Sequence, residues 1–233
     1  MFYYFDPTMI LLIPAILFTL YAQMKVSRAY NTYLKVRNKK GISGSQAARI
    51  ILDANGCQHV PVEVTQGKLS DHYDPKKNIL RLSPDVSSQA TIASVAIAAH
   101  EAGHALQDEK SYGPLKIRNG IAPIVGLISN LAWPLLLIGL VLTSMGEYTT
   151  GNLLFNLGIF FFFGVVIFHL VTLPVELNAS KRAIKQLVDL DIIYLEEQVG
   201  AKKVLSAAAL TYLAALAMAV ANLIRILVIR GRN

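Results

Sequence analysis

His100-Glu101-Ala102-Gly103-His104, inside the run VAIAAHEAGHALQDEK, sets two imidazoles four residues apart with a carboxylate beside the first. On an α-helix, positions i and i+4 share a face, so His100 and His104 can aim at a single ion. Zinc held by three protein ligands keeps a fourth position for water and lowers the pKa of that water to about 7. Glu101 is placed to take its proton. The spacing therefore predicts hydrolysis by activated water on one Zn2+ per chain. A pattern this short also arises by chance on a solvated amphipathic helix. The residues before it argue otherwise: 91–99 are rich in alanine and β-branched side chains, which reads as a buried helix, and buried imidazoles and glutamates need partners to offset desolvation. Gly103, a poor helix former, leaves out a side chain where another backbone or the metal can approach closely.

The elements that must position this motif are legible in outline. Ser43-Gly44-Ser45-Gln46 reads as a helix start leading into AARIILDANG, with Ala47, Ile50, Ile51 and Ala54 in helical period and Asn55-Gly56 as the stop. Residues 60–65 alternate apolar and polar as a strand does, and Asp74-Pro75-Lys76-Lys77-Asn78 turns the chain into a second strand at 79–83. The two strands are expected to pair. The stretch 79–83 is the candidate exposed edge, which either holds an extended peptide by strand addition or only covers the core. Ser83-Pro84-Asp85-Val86-Ser87-Ser88 then supplies capping chemistry for the metal helix.

With 54% hydrophobic residues in 233 and a mean hydropathy of +0.46, the chain reads as an integral membrane protein. The apolar residues gather in four runs, 9–24, 121–145, 153–173 and 207–229, the last interrupted by Asn222 and Arg225. The second and third meet the requirement of about 20 residues per crossing. The first is shorter and contains Pro14, but lacks the basic leader and cleavage pattern of a signal peptide; it reads as a retained anchor, with an interfacial helix as the alternative. Lys25, Arg28, Lys35, Arg37, Lys39 and Lys40 follow it. The link between the second and third runs carries Glu147 and no positive charge, whereas Lys181, Arg182, Lys185, Lys202 and Lys203 lie beyond the third. The positive-inside rule then puts the N-terminus outside and both long polar segments in the cytoplasm. The net charge of +7 is mostly this topology signal plus an attraction to anionic headgroups of the lipid bilayer. Nucleic acid is not an expected partner, because the basic residues flank spans and bring no stacking platform. Cys57 is the single cysteine, which excludes an intrachain disulfide.

A third ligand must come from elsewhere. The remaining histidines are His59, His72 and His169, and Glu176 in LPVELNASKRA falls on the same expected side of the membrane as the metal helix. Ala179, Ala183 and Leu187 continue a helical period, so Glu176 is expected to open a helix whose first turn faces the zinc helix. His169 shares that face if the helix continues through Pro174; it is either a ligand or proton donor, or a packed interfacial residue. His72, in Ser70-Asp71-His72-Tyr73-Asp74, has polar neighbours able to orient it but reads as a loop residue. Arg225 must face a cavity or partner rather than lipid. It can steady the oxyanion of a tetrahedral intermediate, or snorkel with Arg230 and Arg232 as an ordinary basic end.

LDANG, VPVEV, DHYDP, LRLSPDV, AAHEAGHALQ, PVELNAS and LSAAALTYLAA, in that order over nearly the whole chain, resemble the YugP-like neutral zinc metallopeptidases of bacterial and archaeal membranes. More distantly the layout is similar to the gluzincin membrane proteases of the HtpX and CAAX-processing types, which place two spans between HExxH and a helix bearing a glutamate ligand. The resemblance implies that His100, His104 and Glu176 bind zinc and that Glu101 is the general base and acid. It implies a mainly α integral membrane protein of about four hydrophobic helices, with a gluzincin-like cytoplasmic α+β domain carrying a small β-sheet. The expected organisation is a membrane anchor at 1–24, a first metalloprotease part at 25–120, a transmembrane hairpin at 121–173, a second part at 174–206, and a C-terminal hydrophobic helix at 207–233. Where gluzincins usually have aspartate four residues after the glutamate, this chain has Ser180, so support for a zinc histidine falls to its hydroxyl or to Asn178. The expected substrates are peptides or proteins, membrane proteins among them, cleaved at the cytoplasmic face of a prokaryotic cell membrane. Two other readings differ. A site-2-type intramembrane protease needs the metal helix inside the bilayer, but the apolar stretch before His100 is only 92–99, preceded by Ser87 and Ser88. A non-catalytic zinc-stabilised scaffold or adaptor has no use for Glu101.

Overall fold

The computed structural model describes residues 6–231 and is mostly helical, with one three-stranded sheet. A 3-10 turn, Pro7–Leu12, runs into α1 (Ile13–Tyr33); α2 (Gly44–Ala54) leads to β1 (Val62–Val64), β2 (His72–Asp74) and β3 (Ile79–Leu82). Then follow α3 (Pro84–Ser88), α4 (Ile92–Glu109), α5 (Gly113–Ser144), α6 (Tyr148–Asp189), a short 3-10 turn at Leu195–Glu197, and α7 (Gln198–Arg230). Four stretches are long and apolar enough to cross a membrane: Pro7–Tyr33, Gly113–Ser144, Tyr148–Asp189 and Leu195–Arg230. The chain divides into two compact units that interleave in sequence. One comprises Met1–Tyr21, Ile117–Leu173 and Tyr212–Asn233, the other Ala22–Lys116 and Pro174–Thr211.

The first unit is the apolar one. Its two central helices approach through glycine: a Cβ on Gly139 of α5 would lie 2.6 Å from the backbone nitrogen of Phe155 on α6. Large side chains such as Leu127, Leu153 and Phe160 remain exposed, which suits contact with lipid rather than water. Polar groups collect at one end. Arg225 donates from Nε to Thr8 Oγ1 at 3.1 Å and from Nη2 to Asp6 Oδ2 at 2.8 Å, and Arg230 donates to Asn152 and Asn156 of α6. The end of α7 therefore lies beside the start of the first span, and the two run antiparallel. Arg225 is thus paired with protein groups at that end; Arg232 lies outside the described residues.

In the second unit, α2 begins with a capping box: Ser43 Oγ accepts from Gln46 N–H, and Gln46 Oε1 accepts from Ser43 N–H. It ends at Asn55, followed by Gly56 at φ +81°, a left-handed conformation that glycine adopts without steric cost. The strand order is β1-β3-β2, with β1 parallel and β2 antiparallel to β3. The stretch 79–83, expected as an edge, is thus the central strand. Its alternation has a different cause: Leu80 and Leu82 are fully buried, while Arg81 lies on the opposite face between Glu63 and Asp74. The edges are β1 and β2, and β2 contains His72, which the sequence placed in a loop. The segment 83–88 forms its own short helix, α3, and the metal helix α4 is capped by Thr91, whose Oγ1 accepts from Ser94 N–H at 3.2 Å. Ile51, Leu52, Leu80, Leu82, Leu106 and Leu187 are the fully buried centre of this unit. Finally, α6 does not restart at Glu176. It continues through Pro174, which forgoes the bond its missing N–H would have donated to the Leu170 carbonyl and sets its ring against that carbonyl.

Candidate metal centre

Gly103 is where α4 and α6 meet. A Cβ at that position would lie 2.8 Å from the carbonyl oxygen of Ala179, so the missing side chain admits the backbone of α6. That approach brings Glu176, three residues before Ala179, to the two histidines. His100 Nε2 lies 3.2 Å and His104 Nε2 3.4 Å from the same atom, Glu176 Oε2. The imidazoles stand edge to face, with centroids 4.8 Å apart. Their side chains are 12% and 10% exposed and that of Glu176 only 4%, so three groups that water would otherwise solvate are packed against one another.

This donor set fits zinc. Tetrahedral zinc with bonds of 2.0–2.1 Å to nitrogen and oxygen holds neighbouring ligand atoms about 3.3 Å apart, and the two nitrogen–oxygen separations fall on either side of that value. Two imidazoles and one carboxylate are also the protein ligands of a zinc site that keeps one position open. Each histidine is held from behind by its other nitrogen. His100 Nδ1 lies 3.1 Å from Ser180 Oγ, and His104 Nδ1 lies 2.9 Å from Gln107 Oε1. Asn178 does not reach a histidine; its Oδ1 accepts from Gln107 Nε2 at 3.0 Å and from Arg182 Nε at 2.7 Å.

Glu101 faces a different neighbour. Its Oε2 accepts from the backbone N–H of Tyr73 in β2 at 3.1 Å. The Tyr73 hydroxyl lies 3.0 Å from Asp108 Oδ2, and Asp108, seven residues after Glu101, shares its face of α4. Burial pushes the Glu101 carboxyl up to about 7; His100 pulls it down and the Glu176 carboxylate pushes it further up. A carboxylate in that range suits proton transfer near neutrality.

Residues 8–231 match the model of the family described as "Putative neutral zinc metallopeptidase". The chain belongs to that family. It is 43% identical over 225 residues to the "Putative membrane protease YugP" of Bacillus subtilis (strain 168), a similarity that covers 96% of this chain and 97% of the relative. No solved structure matches the chain.

Among the described residues, His100, His104 and Glu176 are the group of histidine, cysteine and acidic side chains that the fold brings within metal-binding reach of one another. The other candidates do not belong to that group. His72 is on the exposed face of the sheet, with Nδ1 2.8 Å from Ser70 O. His169 belongs to the apolar unit, its ring packed edge-on against Phe168 with centroids 6.0 Å apart. Arg225 belongs to that unit too. Two residues at the centre were not singled out by the sequence. Gln107 is fully buried, and its one local signal is its place three residues after His104 and seven after His100, on the face that carries both histidines. Tyr73 acts through its backbone, which no sequence pattern marks.

Proposed function

We propose that this member of the neutral zinc metallopeptidase family is a membrane-embedded, gluzincin-type zinc metalloendopeptidase. It cleaves peptides or proteins, membrane proteins among them, at the cytoplasmic face of a prokaryotic cell membrane. The observation that carries this reading is the convergence of His100 Nε2 and His104 Nε2 on Glu176 Oε2 at 3.2 and 3.4 Å, with Glu101 adjacent and engaged elsewhere. His100, His104 and Glu176 hold the ion. When bound, zinc supplies a Lewis acid for a carbonyl group and lowers the pKa of water to about 7. Glu101 accepts the proton of the attacking water and delivers it to the leaving amine nitrogen. The N–H of Tyr73 holds the carboxylate of Glu101 while it does so.

The edge that receives substrate is β2, not β3. Within the antiparallel pair of β2 and β3, the Tyr73 amide points away from β3 and towards Glu101. An extended peptide laid along this edge lies beside the proton acceptor and pairs through groups other than the Tyr73 N–H, which Glu101 occupies. The catalytic body is formed by 25–120 and 174–206, on the cytoplasmic side of the bilayer, with the anionic headgroups drawn to its basic flanks. Because Arg225 is hydrogen-bonded to Asp6 and Thr8, the last span returns the chain to the outer side where the first begins.

Metal removal tests the reading on the full chain in detergent. As purified it should carry one zinc per chain and digest casein; stripping with a chelator should abolish digestion and added zinc should restore it. A chain that binds one zinc and never cleaves would support the zinc-stabilised scaffold instead.

A further inference from the structure

Gln107 connects two metal ligands that lie on different helices. Its Oε1 lies 2.9 Å from His104 Nδ1, and its Nε2 donates to the carbonyl oxygen of Val175, the residue before Glu176, at 2.8 Å. The same Nε2 donates to Asn178 Oδ1 at 3.0 Å, and Asn178 Oδ1 also accepts from Arg182 Nε at 2.7 Å. The direction of every bond in this chain is fixed by chemistry. A guanidinium only donates and a backbone carbonyl only accepts. Arg182 therefore fixes which end of the Asn178 amide is oxygen. The atom of Gln107 that faces Asn178 Oδ1 and Val175 O faces two acceptors, so it must be the NH2 group. The other end is then an oxygen, and it can only accept. His104 Nδ1 must carry the proton, which leaves the lone pair of Nε2 for the ion.

We infer that Arg182, Asn178 and Gln107 form a polarised relay that sets the tautomer of His104 and ties it to the backbone beside Glu176. Gln107 is a positioning residue for two ligands at once. The relay rests on the zinc reading above and adds the residues that set zinc affinity in this chain. His100 has no equivalent, since the Ser180 hydroxyl 3.1 Å from its Nδ1 can donate or accept and imposes no direction.

The test measures zinc affinity of the full chain in detergent by competition with a metallochromic chelator, together with absorption spectra of the cobalt-substituted protein. Gln107→Leu should weaken zinc binding by about 10–100-fold and shift the cobalt bands. Ser180→Ala should cost less than Gln107→Leu. Because Gln107 is fully buried and its replacement can disturb folding, Arg182→Met serves as the second variant. Half-buried and three hydrogen bonds removed from His104, it should still weaken zinc binding, and Arg182→Lys, which keeps a donor, should restore it. If His104→Ala loses zinc while Gln107→Leu and Arg182→Met bind within twofold of wild type, the relay is wrong and the metal centre stands. If the wild-type chain itself competes for no zinc, both fail.

Discussion

Ser180 illustrates how a single residue sets the strength of the centre without choosing its chemistry. Its hydroxyl lies 3.1 Å from His100 Nδ1, where a carboxylate would form a shorter, charge-assisted bond and make the imidazole a better donor to the metal. Ser180→Asp should therefore tighten zinc binding, by up to about tenfold, in a chelator competition; unchanged or weaker binding would show that His100 does not depend on this contact. At this scale the sequence was informative wherever the chemistry is local. Four-residue spacing on a helix brings His100 and His104 to one face whatever the rest of the chain does. Gln107 and Tyr73 were not legible, because their partners arrive from afar: Val175 is 68 residues from Gln107, and Glu101 is 28 from Tyr73.

Among the elements, the contact of α4 with α6 decides whether Glu176 reaches the two histidines. With a Cβ at position 103 only 2.8 Å from Ala179 O, Gly103→Ala must push backbone against backbone. Overpacking of this kind costs about 1–3 kcal/mol, more than the helix propensity that alanine restores. The expected result is a lower thermal midpoint in detergent and weaker zinc binding together; an alanine variant as stable as wild type would place the helices further apart than described. Glycine at this position was readable as a close approach, though not to which backbone. The sheet was readable less completely. Alternation revealed β1 and β3, but neighbour order depends on β2, three residues long with both polar ends turned away from the core, too short for a period to show. Pro174 was ambiguous for a similar reason: one lost hydrogen bond is small against the other bonds of a 42-residue helix, so α6 carries Glu176 mid-helix.

For the whole molecule, the basic flanks predict that the 145–147 link is outside and the start of α7 inside. Cys57 is the single cysteine and is buried, so after Cys57→Ser the introduced cysteines Glu147→Cys and Lys202→Cys can report on topology. A membrane-impermeant maleimide added to intact cells should label position 147 and reach 202 only after permeabilisation; the reverse pattern would move the metal centre to the outer face. The four apolar helices and the membrane character were legible because composition alone carries them, whereas the pairing of Arg225 with Asp6 and Thr8 joins the two ends of the sequence and left no local trace. In the proposed mechanism Glu101 carries the proton at a zinc centre held by His100, His104 and Glu176. The most direct measurement is casein digestion by purified Glu101→Gln beside wild type, with the zinc content of both determined. Equal zinc with cleavage lost at least a hundredfold is the predicted outcome, on the order of what a general base contributes; a zinc-loaded variant that cleaves as fast as wild type would contradict it.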